Sequence, residues 1–143
     1  MHLWDKDYGK LTDFSTHFSF VIDGQNQPYY ADGLAFFLAA NGSKIFKAAV
    51  TGYLGLVNPD LKPAKNPFVA VEFDTIGNPS WDPPLGEEHV GIDINSMKSV
   101  TYVPWLLSNI SIMEGKTNEA WISYNSSSKN LSVVFIGYNV TVN

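Results

Sequence analysis

Residues 68–89 read FVAVEFDTIGNPSWDPPLGEEH, and this stretch decides the fold of the chain. Its first seven residues, 68–74, have the composition and alternation of a β-strand, in which successive side chains point to opposite faces. Glu72 and Asp74 are therefore expected on one face of the strand. The apolar side chains of Val69, Val71 and Phe73 are expected to be buried on the other face.

The segment after this strand is rich in Gly and Pro, which predicts a loop that folds back over the two carboxylates. This loop brings Asn78, Asp82 and His89 toward Glu72 and Asp74. Oxygen ligands with a single imidazole suit a Ca²⁺ site beside a Mn²⁺-like site better than a structural zinc site. Two close cations need bridging carboxylates, for which Asp74 and Asp82 are the candidates. The alternative is that the acids are solvated loop residues and His89 is a capping or surface histidine.

The rest of the chain has the same period of two. Turn-forming residues separate the apolar runs, and the turn at 126–130 is predicted to join two strands as a hairpin. Many short strands without helices between them indicate a single domain built as an antiparallel β-sandwich. Besides 68–74, the predicted strands are 14–22, 34–39, 90–94, 120–125 and 131–136.

The composition agrees with a folded β protein and excludes several functions. The chain has 143 residues, of which 45% are hydrophobic and 14% aromatic. Its net charge of −5, without a basic cluster, makes nucleic acid and anionic membrane surfaces poor partners. There is no cysteine, so disulfides and thiol catalysis are excluded. We find no signal peptide at the start of the sequence and no apolar run of transmembrane length.

Five further motifs follow in an order that resembles the legume (L-type) lectin domain of plants. They are FSTHFSF (14–20), ADGLAFF (31–37), GYLGL (52–56), HVGIDINS (89–96) and AWISY (120–124). The resemblance implies an all-β legume-lectin (concanavalin-like) jelly roll that binds carbohydrate and is not an enzyme. Around residues 106–135 the chain is most similar to the ectodomains of plant lectin-type receptor kinases.

The resemblance also implies the ligands of two metal ions, Ca²⁺ and Mn²⁺. The Mn²⁺ site would use four side chains, with a serine hydroxyl bridged through water: Glu72, Asp74, Asp82, His89 and Ser99. The Ca²⁺ site would share two of these carboxylates and add an amide side chain and a backbone carbonyl: Asp74, Asp82, Asn78 and Ile76.

A sugar-binding site adjoins the calcium in this family. The resemblance assigns it to Asp32, to the backbone N–H of Gly52 and to the side chain of Asn78. A carboxylate accepts hydrogen bonds from two neighbouring sugar hydroxyls, while the amide and the N–H donate to them. The Ala31–Asp32 peptide bond is expected to be cis. Ile76 stands where the family usually has an aromatic ring, so stacking on the sugar should be weaker.

Two further departures from the family concern length. The segment between Asp82 and His89 is longer than usual, with an insertion predicted at 86–88, so Glu87 or Glu88 could replace His89 at the metal. The whole chain, 1–143, is also expected to be a partial domain truncated at both ends. The opening strands before His2 and the closing strands after Asn143 would be missing.

The resemblance sets expectations for partners and location. It implies a mono- or oligosaccharide ligand, no membrane insertion by this segment, a homodimer as one assembly, and an extracellular, apoplastic or plasma-membrane ectodomain location. Sequons for N-glycosylation fit a secretory glycoprotein. They begin at Asn41, Asn109, Asn125, Asn130 and Asn139.

Two other functions compete with sugar binding. Sandwich glycoside hydrolases place three carboxylates along one strand, and Glu72-Phe73-Asp74 begins such a pattern. The third carboxylate would fall at position 76 or 77, where the chain has Ile76 and Gly77, so a general acid is missing. The other alternative is a degenerate lectin-fold module that binds protein, which Ile76 would favour.

Overall fold

The structure is a computed structural model that describes residues 3–5, 7–27, 30–45, 47, 49, 51–58, 67–83, 88–105, 115–137 and 140–142. Within these residues the regular structure consists of ten β-strands and one 3₁₀ turn, Thr51–Tyr53, and every strand pairing is antiparallel. The predicted all-β, antiparallel architecture is therefore confirmed. The strands are β1 (Trp4–Asp5), β2 (Lys10–Leu11), β3 (Phe14–Val21), β4 (Gly33–Ala39), β5 (Phe68–Asp74), β6 (His89–Ile94), β7 (Thr101–Pro104), β8 (Thr117–Asn125), β9 (Asn130–Gly137) and β10 (Val140–Val142).

The chain forms two compact units. One unit joins Met1–Asn26 to Leu107–Asn143, and the other is Gln27–Leu106. The first unit contains a four-stranded sheet in the order β10-β9-β8-β3 and a two-stranded sheet of β1 and β2. The second unit contains a four-stranded sheet in the order β4-β5-β6-β7, and the predicted metal and sugar residues belong to this unit.

Strand β5 is an inner strand of the second unit, with β4 on one side and β6 on the other. Its register places Glu72 opposite Gly91 and Asp74 opposite His89. On β4, Gly33 lies opposite Asp74. Because directly paired residues share a face of a sheet, Glu72, Asp74 and His89 all point to the same face.

Both faces of β5 are buried. On the apolar face Val71 is 1% exposed and Phe73 is 0% exposed, as predicted, whereas Val69 is only partly buried. On the acidic face Glu72 is 0% exposed and Asp74 is 3% exposed. The far end of that face packs into an apolar core cluster of four buried residues: Leu56, Phe68, Ala70 and Met97.

The sheet of the first unit buries one face and exposes the other. Ala120 and Ile122 of β8 are fully buried, and Phe135 of β9 pairs with Ala120 on the same face. On the opposite face the ring of His17 stacks on Trp121, with 4.5 Å between the ring centroids. This places His17 on the exposed face of β3.

The predicted hairpin joins β8 to β9. Asn125 pairs with Asn130 across its base, and Asn125 Oδ1 accepts a hydrogen bond from the Ser128 N–H over 2.8 Å. Lys129 has a φ of 57°, the left-handed conformation that tight turns require. The turn from Ser126 to Lys129 therefore closes the hairpin as the Ser- and Asn-rich sequence predicts.

Four short strands were not predicted: β1, β2, β7 and β10. Strand β7 has four exposed residues and ends in Pro104, so no apolar alternation reveals it. It is extended because it pairs with β6, for example through Tyr102 opposite Gly91. In the described part of the chain, no helix has the length and apolar character needed to cross a bilayer.

Candidate metal centre and adjoining polar site

Three potential ligands converge at the end of β5. One ligand atom each from Glu72, Asp82 and His89 lie within 4.8 Å of one another. Glu72 comes from β5 and His89 from β6, while Asp82 comes from the loop that follows β5. The loop therefore folds back over the strand, which is what the Gly- and Pro-rich sequence predicts.

Glu72, Asp74 and His89 are buried, which contradicts the alternative that they are solvated or surface residues, whereas Asp82 is only partly buried. Glu72 is 0% exposed and His89 is 1% exposed, with 3.1 Å between His89 Nε2 and Glu72 Oε1. Burying several acids beside one imidazole is costly unless a positive charge or protons neutralise them. A cation or bound protons must therefore offset the negative charge of this cluster.

The electrostatics of the neighbouring aspartates follow from this burial. Loss of hydration raises the pKa of Asp74 to about 7; the Ile76 N–H opposes this rise, and the negative charge of Asp82 adds to it. Burial likewise raises the pKa of Asp82. Asp74 lies outside the group of three closest ligand atoms, although the charges of Asp82, His89 and Glu72 all act on it.

Asp93 is a member of this cluster that sequence reasoning missed. It is fully buried, and Ser99 Oγ lies 2.9 Å from Asp93 Oδ1 and 2.6 Å from Glu72 Oε1. Burial, and then the charge of Glu72, raises the pKa of Asp93 to about 8. The signal that could have found it is the alternation of β6, since Asp93 lies four residues after His89 and so on the same face.

The residues present fit a divalent cation. Glu72 Oε2 and Asp82 Oδ1 are buried, and neither has a hydrogen-bond partner among the residues that the structure describes. Oxygen-rich donor sets with one imidazole are typical of hard or borderline cations such as Ca²⁺ and Mn²⁺. Gly91 has no side chain, which leaves room for the acidic side chains beside it. A Cβ at this position would lie 2.7 Å from Glu72 Oε1, which is too close.

The loop after β5 is held by the carboxylates themselves. Asp74 Oδ1 accepts a hydrogen bond from the Ile76 N–H over 2.7 Å, and Asp82 Oδ2 accepts one from the Asn78 N–H. The carbonyl of Asn78 accepts from the N–H groups of Trp81 and Asp82, over 3.2 and 3.0 Å. These bonds fix where Asn78 lies relative to Asp82.

The predicted sugar residues lie around the same loop. The Ala31–Asp32 peptide bond is cis, and the Asp32 carbonyl accepts a hydrogen bond from the Thr75 N–H over 3.0 Å. Gly52 is buried against Asn78, since a Cβ on Gly52 would lie 3.0 Å from Asn78 Cγ. Thus Asp32 lies beside the start of the loop, and Gly52 lies beside Asn78.

Ile76 is 46% exposed at the same loop. Its backbone N–H is engaged by Asp74, and its side chain is free to contact a ligand. An aliphatic side chain at this position can make apolar contact with a sugar face but cannot stack on it as a ring does.

The lengthened segment before β6 leaves His89 in the cluster. Glu88 accepts a hydrogen bond from the Tyr30 hydroxyl over 2.7 Å, so its carboxylate is engaged away from the metal ligands. Glu87 lies outside the described residues. The structure therefore favours His89 over Glu88 as the ligand.

Three of the five sequons lie in described parts of the chain. Asn41 and Asn125 are in exposed turns or strand ends, and Asn130 is exposed with its amide donating to Ser132 Oγ over 2.9 Å. Asn109 and Asn139 lie outside the described residues. Glycosylation at all five positions stays a prediction.

An antiparallel all-β chain with a largely buried acidic cluster beside a loop-borne polar site has the architecture of a lectin. The family model described as "Legume lectin domain" matches residues 1–143, so the chain belongs to the legume lectin family. Among its relatives, Lectin 9 of Medicago truncatula is 43% identical over 142 residues, which cover 96% of this chain and 50% of that protein.

Two solved structures show the same fold. The seed lectin of Lotus tetragonolobus matches with a TM-score of 0.85 and 37% identity, covering 99% of this chain and 58% of that one. Lectin I from Ulex europaeus, in complex with the methyl glycoside of α-L-fucose, matches with a TM-score of 0.76 and 34% identity, again covering 99% and 58%. The chain spans about half the length of the curated relatives it matches.

These comparisons confirm the predicted family and the β-sandwich jelly roll, which is the fold of these neighbours. The relatives are lectins and not hydrolases, which supports the prediction that the chain is not an enzyme. The closer likeness to receptor-kinase ectodomains stays a prediction.

Proposed function

We propose that this chain is a carbohydrate-binding lectin domain whose sugar site is organised by Ca²⁺ and Mn²⁺. The observation that carries the proposal is the contact between Gly52 and Asn78, next to a loop whose backbone is bonded to Asp82. A backbone N–H and a side-chain amide are thus held together beside a candidate cation site. This is the arrangement that a pair of sugar hydroxyls requires.

In this proposal the two ions share the carboxylates of Asp74 and Asp82 and differ in their other ligands. Mn²⁺ is held by Glu72, Asp74, Asp82 and His89, with Ser99 bridged through water, and Ca²⁺ is held by Asp74, Asp82, the Asn78 side chain and the Ile76 carbonyl. When bound, the ions supply the positive charge that neutralises these buried acids. The burial of Glu72, Asp74 and His89, at 0%, 3% and 1% exposure, supports this assignment.

The sugar is recognised by groups of the protein, not by the metal. Asp32 accepts hydrogen bonds from two neighbouring hydroxyls, and the Gly52 N–H and Asn78 amide donate to them. Ile76, which is 46% exposed at this loop, contacts the apolar face of the sugar. Calcium acts indirectly, because it holds Asn78 and Asp32 in the geometry that binds.

The relatives support a glycan as the partner. Lectin I from Ulex europaeus is known in complex with a fucose glycoside, and similar legume lectins share this chain's fold. We infer an extracellular or plasma-membrane ectodomain location, because the sequons of Asn41, Asn125 and Asn130 lie on exposed residues where glycosylation machinery could reach them.

Calorimetry against a monosaccharide panel, with the chain loaded with Ca²⁺ and Mn²⁺ and again after EDTA, tests the proposal. Methyl α-L-fucoside and galactose belong in the panel as two different hydroxyl patterns. We expect saturable binding of at least one sugar with metal and none after chelation. Binding that survives EDTA unchanged would contradict the metal-organised site, and no sugar binding with full metal content would favour the protein-interaction module.

A further inference from the structure

Two separate segments contribute the donors of the proposed sugar site. The Gly52 N–H comes from the 3₁₀ turn Thr51–Tyr53, whereas Asn78 comes from the loop after β5. They approach so closely that a Cβ on Gly52 would lie 3.0 Å from Asn78 Cγ. A small displacement of either segment would therefore change the spacing of the two donors, and with it the pair of hydroxyls they fit.

Three backbone hydrogen bonds stabilise the shape of the turn. The Leu54 N–H donates to the Thr51 carbonyl over 3.0 Å, and the Leu56 N–H donates to the Tyr53 carbonyl over 2.8 Å. The Gly55 N–H donates to the Ala49 carbonyl over 2.9 Å. All three of these bonds are internal to residues 49–56, so they do not themselves join the turn to the loop.

A pair of aromatic rings spans the two segments. The ring of Tyr53 stacks on the ring of Trp81, with 5.2 Å between centroids and 25° between planes. Tyr53 directly follows Gly52, and the Trp81 N–H donates to the Asn78 carbonyl over 3.2 Å. Both rings also pack against the apolar core cluster, which anchors them to β5.

We propose that Tyr53 and Trp81 are positioning residues that set the spacing between the Gly52 N–H and the Asn78 amide. This inference rests on the proposed sugar-binding function, which it extends to residues that contact neither the sugar nor the metal. The stacked pair holds the 3₁₀ turn against the loop, so the ring pair governs affinity and the preference among hydroxyl patterns.

Tyr53→Leu tests this role, with Tyr53→Phe as the variant that keeps the ring. We expect Tyr53→Leu to weaken sugar binding about three- to tenfold, which is the loss of affinity that corresponds to one aromatic pair. The affinity of Tyr53→Phe should stay within about twofold of that of the parent chain. Metal content by elemental analysis should be unchanged in both variants, because Tyr53 is not one of the candidate metal ligands. Val57→Ala is the matched control, since Val57 packs on the same core cluster without joining the ring pair.

A second readout needs no sugar. In ¹⁵N–¹H spectra of the metal-loaded chain, Tyr53→Leu should shift or broaden the Gly52 backbone signal and the Asn78 side-chain amide signals, while Tyr53→Phe and Val57→Ala leave them in place. If the parent chain binds no sugar, the proposed function fails, yet these signals still decide the positioning role. The inference would be overturned if the signals do not move in Tyr53→Leu or if Tyr53→Leu and Tyr53→Phe have equal effects. It would also be overturned if Tyr53→Leu loses metal.

Discussion

Ser99 Oγ lies 2.6 Å from Glu72 Oε1, and the same oxygen lies 2.9 Å from Asp93 Oδ1. A hydroxyl has one hydrogen, so Ser99 can donate to only one of these carboxylates. The arrangement is satisfied when Asp93 is protonated and donates to Ser99 Oγ, while Ser99 donates to Glu72. Burial and then the charge of Glu72 raise the pKa of Asp93 to about 8, although the hydrogen bond with Ser99 opposes this rise, so below about pH 8 the Asp93 carboxyl is protonated.

The metal-free chain should therefore lose stability as the pH rises. Asp74 and Asp93 have folded-state pKa values of about 7 and about 8, above the usual value of 3.8. A raised pKa contributes stability that is present below the unfolded pKa and is lost as the pH passes the folded value. In EDTA, the denaturant concentration at the unfolding midpoint should thus decrease as the pH is raised from about 5 to about 8. Added Ca²⁺ and Mn²⁺ should restore this midpoint at pH 8.

Asp93→Asn should flatten this pH dependence, because an amide donates to Ser99 Oγ at any pH. Asp13→Asn is the control: Asp13 is exposed, and hydrogen bonds from Ser126 lower its pKa, so it titrates below the tested range. A midpoint in EDTA that rises with pH, or an Asp93→Asn slope equal to that of the parent chain, would contradict the proton assignment.

A second prediction concerns the shared carboxylate. Asp82→Ala should abolish binding of both ions, because Asp82 lies among the convergent ligands and is a proposed bridge between the two sites. Elemental analysis after dialysis measures the metal content directly. Asp82→Asn keeps an oxygen that can accept the Asn78 N–H and so separates loss of charge from loss of the loop's shape. Glu119→Gln removes a partly buried acid of the other unit and should keep both ions. Full metal content in Asp82→Ala would rule out the two-site arrangement.

Substitution of Asp32 tests the sugar contact. Asp32→Asn keeps the shape of the side chain but exchanges an acceptor for a donor, which leaves sugar hydroxyls unpaired at a cost of roughly 1–3 kcal/mol in binding free energy. Titration calorimetry on the metal-loaded chain gives the change. Asp23→Asn, in the other unit, is the control. Equal affinity of the Asp32→Asn and parent chains on a glycan array would place sugar binding on another surface.

Ile76→Tyr should act in the opposite direction. Ile76 is exposed at the loop, so a ring here can stack on the apolar face of the sugar and improve binding by about 0.5–1.5 kcal/mol. Ile76→Val, which shortens the side chain without adding a ring, controls for a general effect of substitution. Weaker binding by the tyrosine variant would mean that the sugar does not lie over residue 76.

The turn that carries Gly52 includes a residue in an unfavourable conformation. Thr51 has a φ of 59°, which costs a β-branched residue about 1–2 kcal/mol relative to glycine. Thr51→Gly should therefore raise the free energy of unfolding by about 1 kcal/mol, after allowing for the greater freedom of glycine in the unfolded chain. Thr101→Gly, in strand β7, should instead lower it, and chemical denaturation measures both. A loss of stability in Thr51→Gly would show that the threonine side chain contributes more than the strain it carries.

Local sequence patterns predicted much of this protein. The alternation in 68–74 correctly assigned Glu72 and Asp74 to one face, and the Gly- and Pro-rich segment after it correctly predicted a loop that returns Asp82 to the strand. The hairpin at 126–130 was also predicted correctly from the sequence. These features depend on side-chain direction and turn chemistry within a few residues, which the sequence contains directly.

What the sequence by itself determined is the set of candidate ligands and the face of the strand that carries Glu72 and Asp74. Only the tertiary structure decided which groups meet: Ser99 reaches Glu72 across 27 positions, Tyr30 reaches Glu88 across 58, and Tyr53 stacks on Trp81. It also decided that both faces of β5 are buried, which raises the pKa of Asp74 at the end of the strand. Strand register and loop closure bring these distant residues together, and both depend on long-range packing that no local pattern specifies.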